Sequence, residues 1–300
     1  MKLGMQMFTV RHDFEKDPFG TIDGLADAGY EVIELANFSS EKYPESPCAR
    51  GDIDSKAFMD KLKERGVKVT GGLVLNKDSE VTEAVDDFWS NMDLMKRLAA
   101  YYKSIGSDHM TLAIDYYPTE DYVLRRCEIY NKIGQICKDE GINFLYHNHY
   151  HEWQSYPGRD ECIYETIMNN TDPDLVGIEF DAYWAFRGGQ NYLARMRQFG
   201  KRIKMLHVKD FPFEYMRYAD SWTLCDPNKI IVAEDYLDII KPEYFIELGE
   251  GMMKMQDIVD LGNELEIPYF LIEQDHTTYE SEVASAAHSM RNMKKLRGVE

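Results

Sequence analysis

Eight times along its 300 residues the chain passes from a short apolar, β-branched run into a longer stretch of helical periodicity. That repeat limits the fold more than any other feature. The strand candidates are residues 2–10, 31–38, 68–76, 109–115, 143–149, 176–181, 203–210 and 269–275. The helix candidates are 21–28, 55–65, 80–104, 119–140, 162–169, 190–199, 254–266 and 281–296. Several stop at a glycine, such as Gly29, Gly66, Gly106 or Gly141. Strands alternating with helices pair in parallel through right-handed crossovers. Eight such units in one chain predict a closed (β/α)₈ TIM barrel over residues 1–300, a single α/β domain. No Gly-x-Gly-x-x-Gly follows the first strand candidate, which argues against a dinucleotide fold.

Two stretches depart from the rhythm. Residues 39–54 follow strand two, and residues 211–251 separate strands seven and eight. Long βα excursions lie at the C-terminal mouth of such barrels, where lids and substrate contacts are built. The second excursion is read as part of the site, with a surface loop or a subunit contact in a homo-oligomer as the plain alternative.

Composition removes several function classes. Asp plus Glu number 53 against 34 Lys plus Arg, a net charge of −19 that repels phosphate backbones and anionic lipid. Nucleic-acid binding is not expected. No apolar run approaches the roughly 18 residues of a membrane span, so no membrane association is expected either. Five scattered cysteines without a Cys-x-x-Cys (Cys48, Cys127, Cys137, Cys162, Cys225) suggest neither a disulfide framework nor a thiolate zinc site. A reducing, cytoplasmic setting is expected.

Chemistry-bearing residues gather at the ends of strands five to eight. Side chains two apart share a face of a strand, so one register sets His147, Asp181, His207 and Glu273 at matching depth in the mouth. His149, Tyr183, Lys209 and Asp275 then stand one layer nearer solvent. Two imidazoles and two carboxylates converging on a point make a mixed nitrogen and oxygen site for a divalent cation: Mn, Zn, Co or Fe. Read singly, each is as well explained by hydrogen-bonded structure. Further candidates are Arg11 for a substrate anion, Glu152 for substrate hydroxyls or for orienting His149, Trp184 for stacking on a sugar face, and Glu250 in a Gly-Glu-Gly turn. Glu34, in the run EVIEL, either faces the mouth or is a structural carboxylate.

The runs YHNHYHEW (146–153), DAYW (181–184), LHVKD (206–210), GEG (249–251) and IEQD (272–275) resemble the sugar phosphate isomerase/epimerase family of xylose-isomerase-like TIM barrels. The openings LGMQMFTVR and AGYEVIELANF are similar to it as well. The resemblance spans nearly the whole chain. It implies a metal held by Glu, Asp, His and Glu from strands five to eight, of which Asp181, His207 and Glu273 carry over directly. His147 departs, standing where many relatives have Glu. In the epimerases that Glu is both ligand and acid/base, a double role that a metal-bound imidazole does not easily fill.

The resulting expectation is a metal-dependent isomerase or epimerase of a keto-sugar. His149 takes the proton beside the carbonyl and Lys209 stabilises the enediolate or acts as partner acid. The alternatives are a lyase of the same superfamily (an inosose dehydratase or a 3-keto-glycoside eliminase) and a non-catalytic, sugar-binding or partner-dependent subunit.

Overall fold

A computed structural model describes residues 1–38, 54–75, 81–226, 228–237 and 240–299. Its eight strands are β1 (Lys2–Gln6), β2 (Val32–Phe38), β3 (Lys68–Leu75), β4 (His109–Leu112), β5 (Asn143–His147), β6 (Val176–Asp181), β7 (Ile203–Val208) and β8 (Tyr269–Ile272). Each pairs in parallel with its sequence neighbour, and β1 closes on β8. The expected eight-stranded barrel is therefore the fold.

Strand alternation builds the interior. Val32, Leu145, Met205 and Leu271, from β2, β5, β7 and β8, pack into an apolar plug inside the staves. Two residues further along the same strands come Glu34, His147, His207 and Glu273, so the pleat itself lifts these polar groups onto the plug. Gly4 makes room below: a Cβ there would lie 2.4 Å from Leu271 Cδ2 and 2.5 Å from Val32 Cγ2. The larger apolar core fills the space between sheet and helices.

Several boundaries differ from those read in the sequence. Residues 2–10 are not one strand, since β1 ends at Gln6 and a 3₁₀ turn (Met7–Val10) leads into helix Arg11–Lys16. The Gln6 side chain accepts from the Phe8 amide and starts that turn. Residues 80–104 are two helices, Thr82–Ser90 and Met92–Ser104. Asn91 leaves helical geometry between them and accepts from the Leu94 amide with its side chain. Strands β5, β7 and β8 each stop two or three residues short of the expected ends, freeing His149, Lys209 and Asp275 from the ladder. The first excursion falls on 39–53, outside the described residues, apart from Asp54.

The described residues of the second excursion form short turns and the single-turn helix Ala233–Tyr236. Both its ends are fastened at one residue. Asp210 Oδ1 accepts from the amides of Phe211 and Met253, and Oδ2 from those of Gly249 and Gly251. Gly251 comes so close that a Cβ would sit 2.3 Å from Asp210 Oδ1. Asp210→Ala should lose about 3 kcal/mol in urea titration, because bonds to a buried charged acceptor are each worth about 1.5–3 kcal/mol. It should also speed proteolysis within 211–251.

Candidate active site

The ladder explains how four distant sequence positions meet. Asp181 pairs directly with His207, whereas His147 pairs with Glu179 and His207 with Leu271. The four residues are not level in register, as the sequence reading had them. The stagger between tilted staves of a closed barrel brings them together instead. One donor atom from each of His147, Asp181, His207 and Glu273 lies within 4.8 Å of all the others, and all four residues are buried.

Lys209 reaches into this group. Its Nζ lies 2.7 Å from Asp181 Oδ2 and also contacts Glu273 Oε2. Burial opposes the ammonium, yet Asp181 and Glu273 hold its pKa well above the ordinary lysine value. Burial likewise would raise the Glu273 carboxyl, but Lys209 and His207 hold it well below the usual range. The cluster therefore carries two carboxylates facing a fixed cation.

Beneath it lies a layer the sequence reading mostly missed. His207 Nδ1 is 2.9 Å from Glu273 Oε2, while Nε2 is 2.7 Å from Glu34 Oε2 and 3.0 Å from Glu179 Oε1. Gln6 Nε2 donates to Glu34 at 2.8 Å, and Thr111 Oγ1 donates to Glu179 at 3.0 Å. Burial lowers His207, but Glu179 and Glu34 overcome it and raise its pKa well above 6.5. Burial and then Glu34 raise Glu179. The signal was available, since Glu179 stands two before Asp181 on the same face of β6.

The residues fit a divalent cation. His147 Nδ1 and Glu179 Oε1 are 3.0 Å apart but poorly aimed, and neither has a hydrogen-bond partner among the described residues. A buried imidazole nitrogen and a buried carboxylate oxygen without partners, beside converging carboxylates, leave a demand for positive charge that exceeds Lys209 alone. His147, Asp181, His207 and Glu273 are the residues that would hold the ion, with Glu34 on the far nitrogen of His207 as its orienting partner.

His149 lies against this group. Its ring centroid is 4.9 Å from that of His147, 5.4 Å from Trp184 and 5.4 Å from Tyr236. Burial, then His147 and His151, lower its pKa well below 6.5, and its Nδ1 has no partner among the described residues. It is a neutral imidazole with a bare nitrogen. Trp184 is buried, with Lys209 Nζ 5.2 Å from its ring centroid. Tyr236, from the second excursion, was not foreseen. One tyrosine among the four of a long loop carries no pattern that sequence reading detects.

The remaining candidates are placed differently. Arg11 lies at the rim and donates to the carbonyls of Phe8 and Asp275. Glu152 is fully buried. Its Oε2 accepts from the His149 amide at 2.9 Å and its Oε1 lies 3.0 Å from Tyr146 Oη, so its contacts fit the orienting role and not direct contact with substrate. Glu250 stands exposed, accepting from His288 Nε2 and Asn292 Nδ2 of the last helix, which ties it there and not to the buried cluster.

The family model of the xylose isomerase-like TIM barrel matches residues 22–296. The chain belongs to this family. An inosose dehydratase from Clostridium beijerinckii is 30% identical over 202 residues, 63% of this chain and 62% of that protein. A sugar phosphate isomerase/epimerase from Parabacteroides distasonis superposes with a TM-score of 0.76 at 22% identity, covering 100% of this chain and 95% of that one. The IOLI protein, crystallised with a zinc atom, superposes with a TM-score of 0.63 at 13% identity over 98% of this chain and 96% of that one. At such identities the structural likeness is one of fold. Among the described residues, no helix of this xylose isomerase-like barrel is long and apolar enough to cross a membrane.

Proposed function

We propose that the chain is a metal-dependent isomerase or epimerase of a keto-sugar, working by removal of the proton beside a carbonyl. The observation that carries this reading is the bare nitrogen of neutral His149 next to a four-residue cation cluster. A divalent ion held by His147, Asp181, His207 and Glu273 supplies Lewis acidity toward substrate oxygens.

The chain's own residues do the rest. His149 accepts the proton from the carbon beside the carbonyl, and the C–H electron pair moves into the enediolate. The Lys209 ammonium, held at the cluster, stabilises the negative oxygen. Its raised pKa makes it a poor acid, so oxyanion stabilisation is the role it suits. The imidazolium of His149 returns the proton to the neighbouring carbon for isomerisation, as the hydroxyl proton of the enediolate passes from one oxygen to the other and the new carbonyl forms. Trp184 and Tyr236 give the mouth an aromatic wall beside His149 that suits the apolar face of a sugar ring.

A second reading is dehydration. The same enediolate expels a β-hydroxyl, which leaves as water after taking a proton and yields an α,β-unsaturated ketone. It is favoured by the open nitrogen of His149, because elimination can run on one base, and by the inosose dehydratase among the relatives.

Metal-loaded protein incubated in D₂O with a panel of ketoses and cyclic keto-polyols tests both readings. Deuterium beside the carbonyl with isomerised product supports the first. A product lacking one water supports the second. Finding neither exchange nor loss of water across the panel removes both. His207→Ala should abolish tight metal binding, as seen by metal analysis after dialysis, because it deletes a donor and frees Glu34.

A further inference from the structure

Behind the mouth runs a chain of buried hydroxyls that ends at Glu152. Glu152 Oε1 lies 3.0 Å from Tyr146 Oη on β5, and Tyr146 Oη lies 2.8 Å from Tyr117 Oη beyond β4. Tyr117 Oη lies 2.7 Å from Tyr130 Oη on helix Glu120–Glu140, and Tyr130 donates to Asp115 Oδ2 at 2.5 Å. Those are four oxygen–oxygen contacts but only three hydroxyl protons. With both end carboxyls ionised, one contact has two lone pairs facing each other at hydrogen-bond distance between fully buried groups.

The missing proton has one place to sit. Asp115 is saturated as an anion: Arg126 Nε donates to Oδ2 at 2.7 Å, Tyr130 donates to the same oxygen, and the Tyr116 amide donates to Oδ1 at 2.8 Å. Among the described residues, Glu152 faces no such cation. A second contact points the same way. His151 Nε2 lies 2.8 Å from the carbonyl of Asp115, which requires its proton there and leaves Nδ1 as a lone pair 3.5 Å from Glu152 Oε2. A lone pair is repelled more strongly by a full carboxylate than by the carbonyl oxygen of a neutral carboxylic acid.

We propose that Glu152 holds a proton at neutral pH as the head of a hydrogen-bond chain running Glu152, Tyr146, Tyr117, Tyr130, Asp115, and that this neutral carboxyl is a positioning residue for His149. Every contact is then filled in one direction. Each hydroxyl accepts from the group before it and donates to the one after, and the negative end rests on Arg126. The other carboxyl oxygen of Glu152 fixes the His149 main chain through its amide. The surroundings agree. Burial pushes the Glu152 carboxyl up to about 8, outweighing its own amide, that of His149 and the Tyr146 hydroxyl. The negative charge of Asp115 adds to the rise, and the nearer titratable groups are uncharged at neutral pH. Burial raises Tyr164 and Tyr236 and lowers His149 and His151, the last to about 4.

The test is infrared difference spectroscopy of the full chain in D₂O. At pH 7, wild type minus Glu152→Gln should show the C=O stretch of a protonated carboxyl, and that band should vanish as pH rises through about 8. Absence of the band at pH 7 overturns the proposal. Tyr117→Phe removes two contacts and one proton, leaving Tyr146 and Tyr130 enough for the rest. The band should then vanish at a pH lower by about one unit or more; an unmoved titration refutes the chain as its cause. Stability gives a reading that does not need the band. A raised carboxyl stabilises fully below the ordinary carboxylate range, and that contribution is lost as pH climbs to about 8. Wild type should therefore lose Tm relative to Glu152→Gln between pH 5 and 8, and a constant gap contradicts the proposal. Turnover depends on the reading of His149 given above, whereas the band does not, so the two fail separately. For positioning, Glu152→Gln should keep kcat and Glu152→Ala should lower it with metal content unchanged. Equal kcat in both variants would refute the positioning role.

Discussion

His149→Ala should slow exchange of solvent deuterium into the carbon beside the substrate carbonyl by about 10²–10⁴-fold, the usual range for losing a general base. Metal content should stay at the parent's level, because no bond within the His147, Asp181, His207 and Glu273 cluster passes through the His149 ring. The measurement is proton NMR of the keto-sugar in D₂O, with metal analysis on the same sample. Exchange at the parental rate would move the base elsewhere. The pH profile adds a second check. Burial lowers the pKa of His149 well below 6.5, so the imidazole stays in its basic form as pH falls through the neutral range. The acid limb governed by this group should therefore lie below the ordinary histidine range, and a limb centred at the ordinary value would contradict the assignment.

Lys209→Met should destabilise the metal-free chain by about 3–5 kcal/mol, since it strands the carboxylates of Asp181 and Glu273 beside each other with their fixed cation removed. Divalent metal should restore more of that loss in the variant than it adds to the parent, because the ion supplies the charge the lysine no longer does. Saturation at about 1,000 times the dissociation constant is worth roughly 4 kcal/mol. The experiment is chemical denaturation of both proteins in chelator and in excess Mn²⁺ or Zn²⁺. Identical midpoints in chelator would mean that Lys209 does not neutralise the cluster.

The eight strand-and-helix units and the period of two within strands were legible because both reflect the most local constraints on the chain. They located His147, Asp181, His207 and Glu273, and they also held Glu179, which follows from the same alternation. Three features were hidden for physical reasons. The stagger that joins His147 to Asp181 is a property of the closed barrel and not of any one strand. Tyr236 reaches the mouth through a loop whose path depends on Asp210, a fastening between residues far apart in sequence. Glu250 looked functional because of its flanking glycines, yet His288 and Asn292, some forty positions later, claim its carboxylate. The division of residues 80–104 turned on whether Asn91 continues a helix or caps the next one, a choice that helix propensity leaves nearly balanced.

Because Asp210 clasps both feet of the 211–251 stretch through main-chain amides, that fastening does not depend on the exposed side chains between them, whereas Tyr236 and Tyr244 are bonded through their carbonyls to Tyr150 and Tyr183 below. Substituting the exposed side chains of that roof, with Asp210, Gly249, Gly251 and Tyr236 kept, is thus a route to altering the mouth while His149 keeps its contacts.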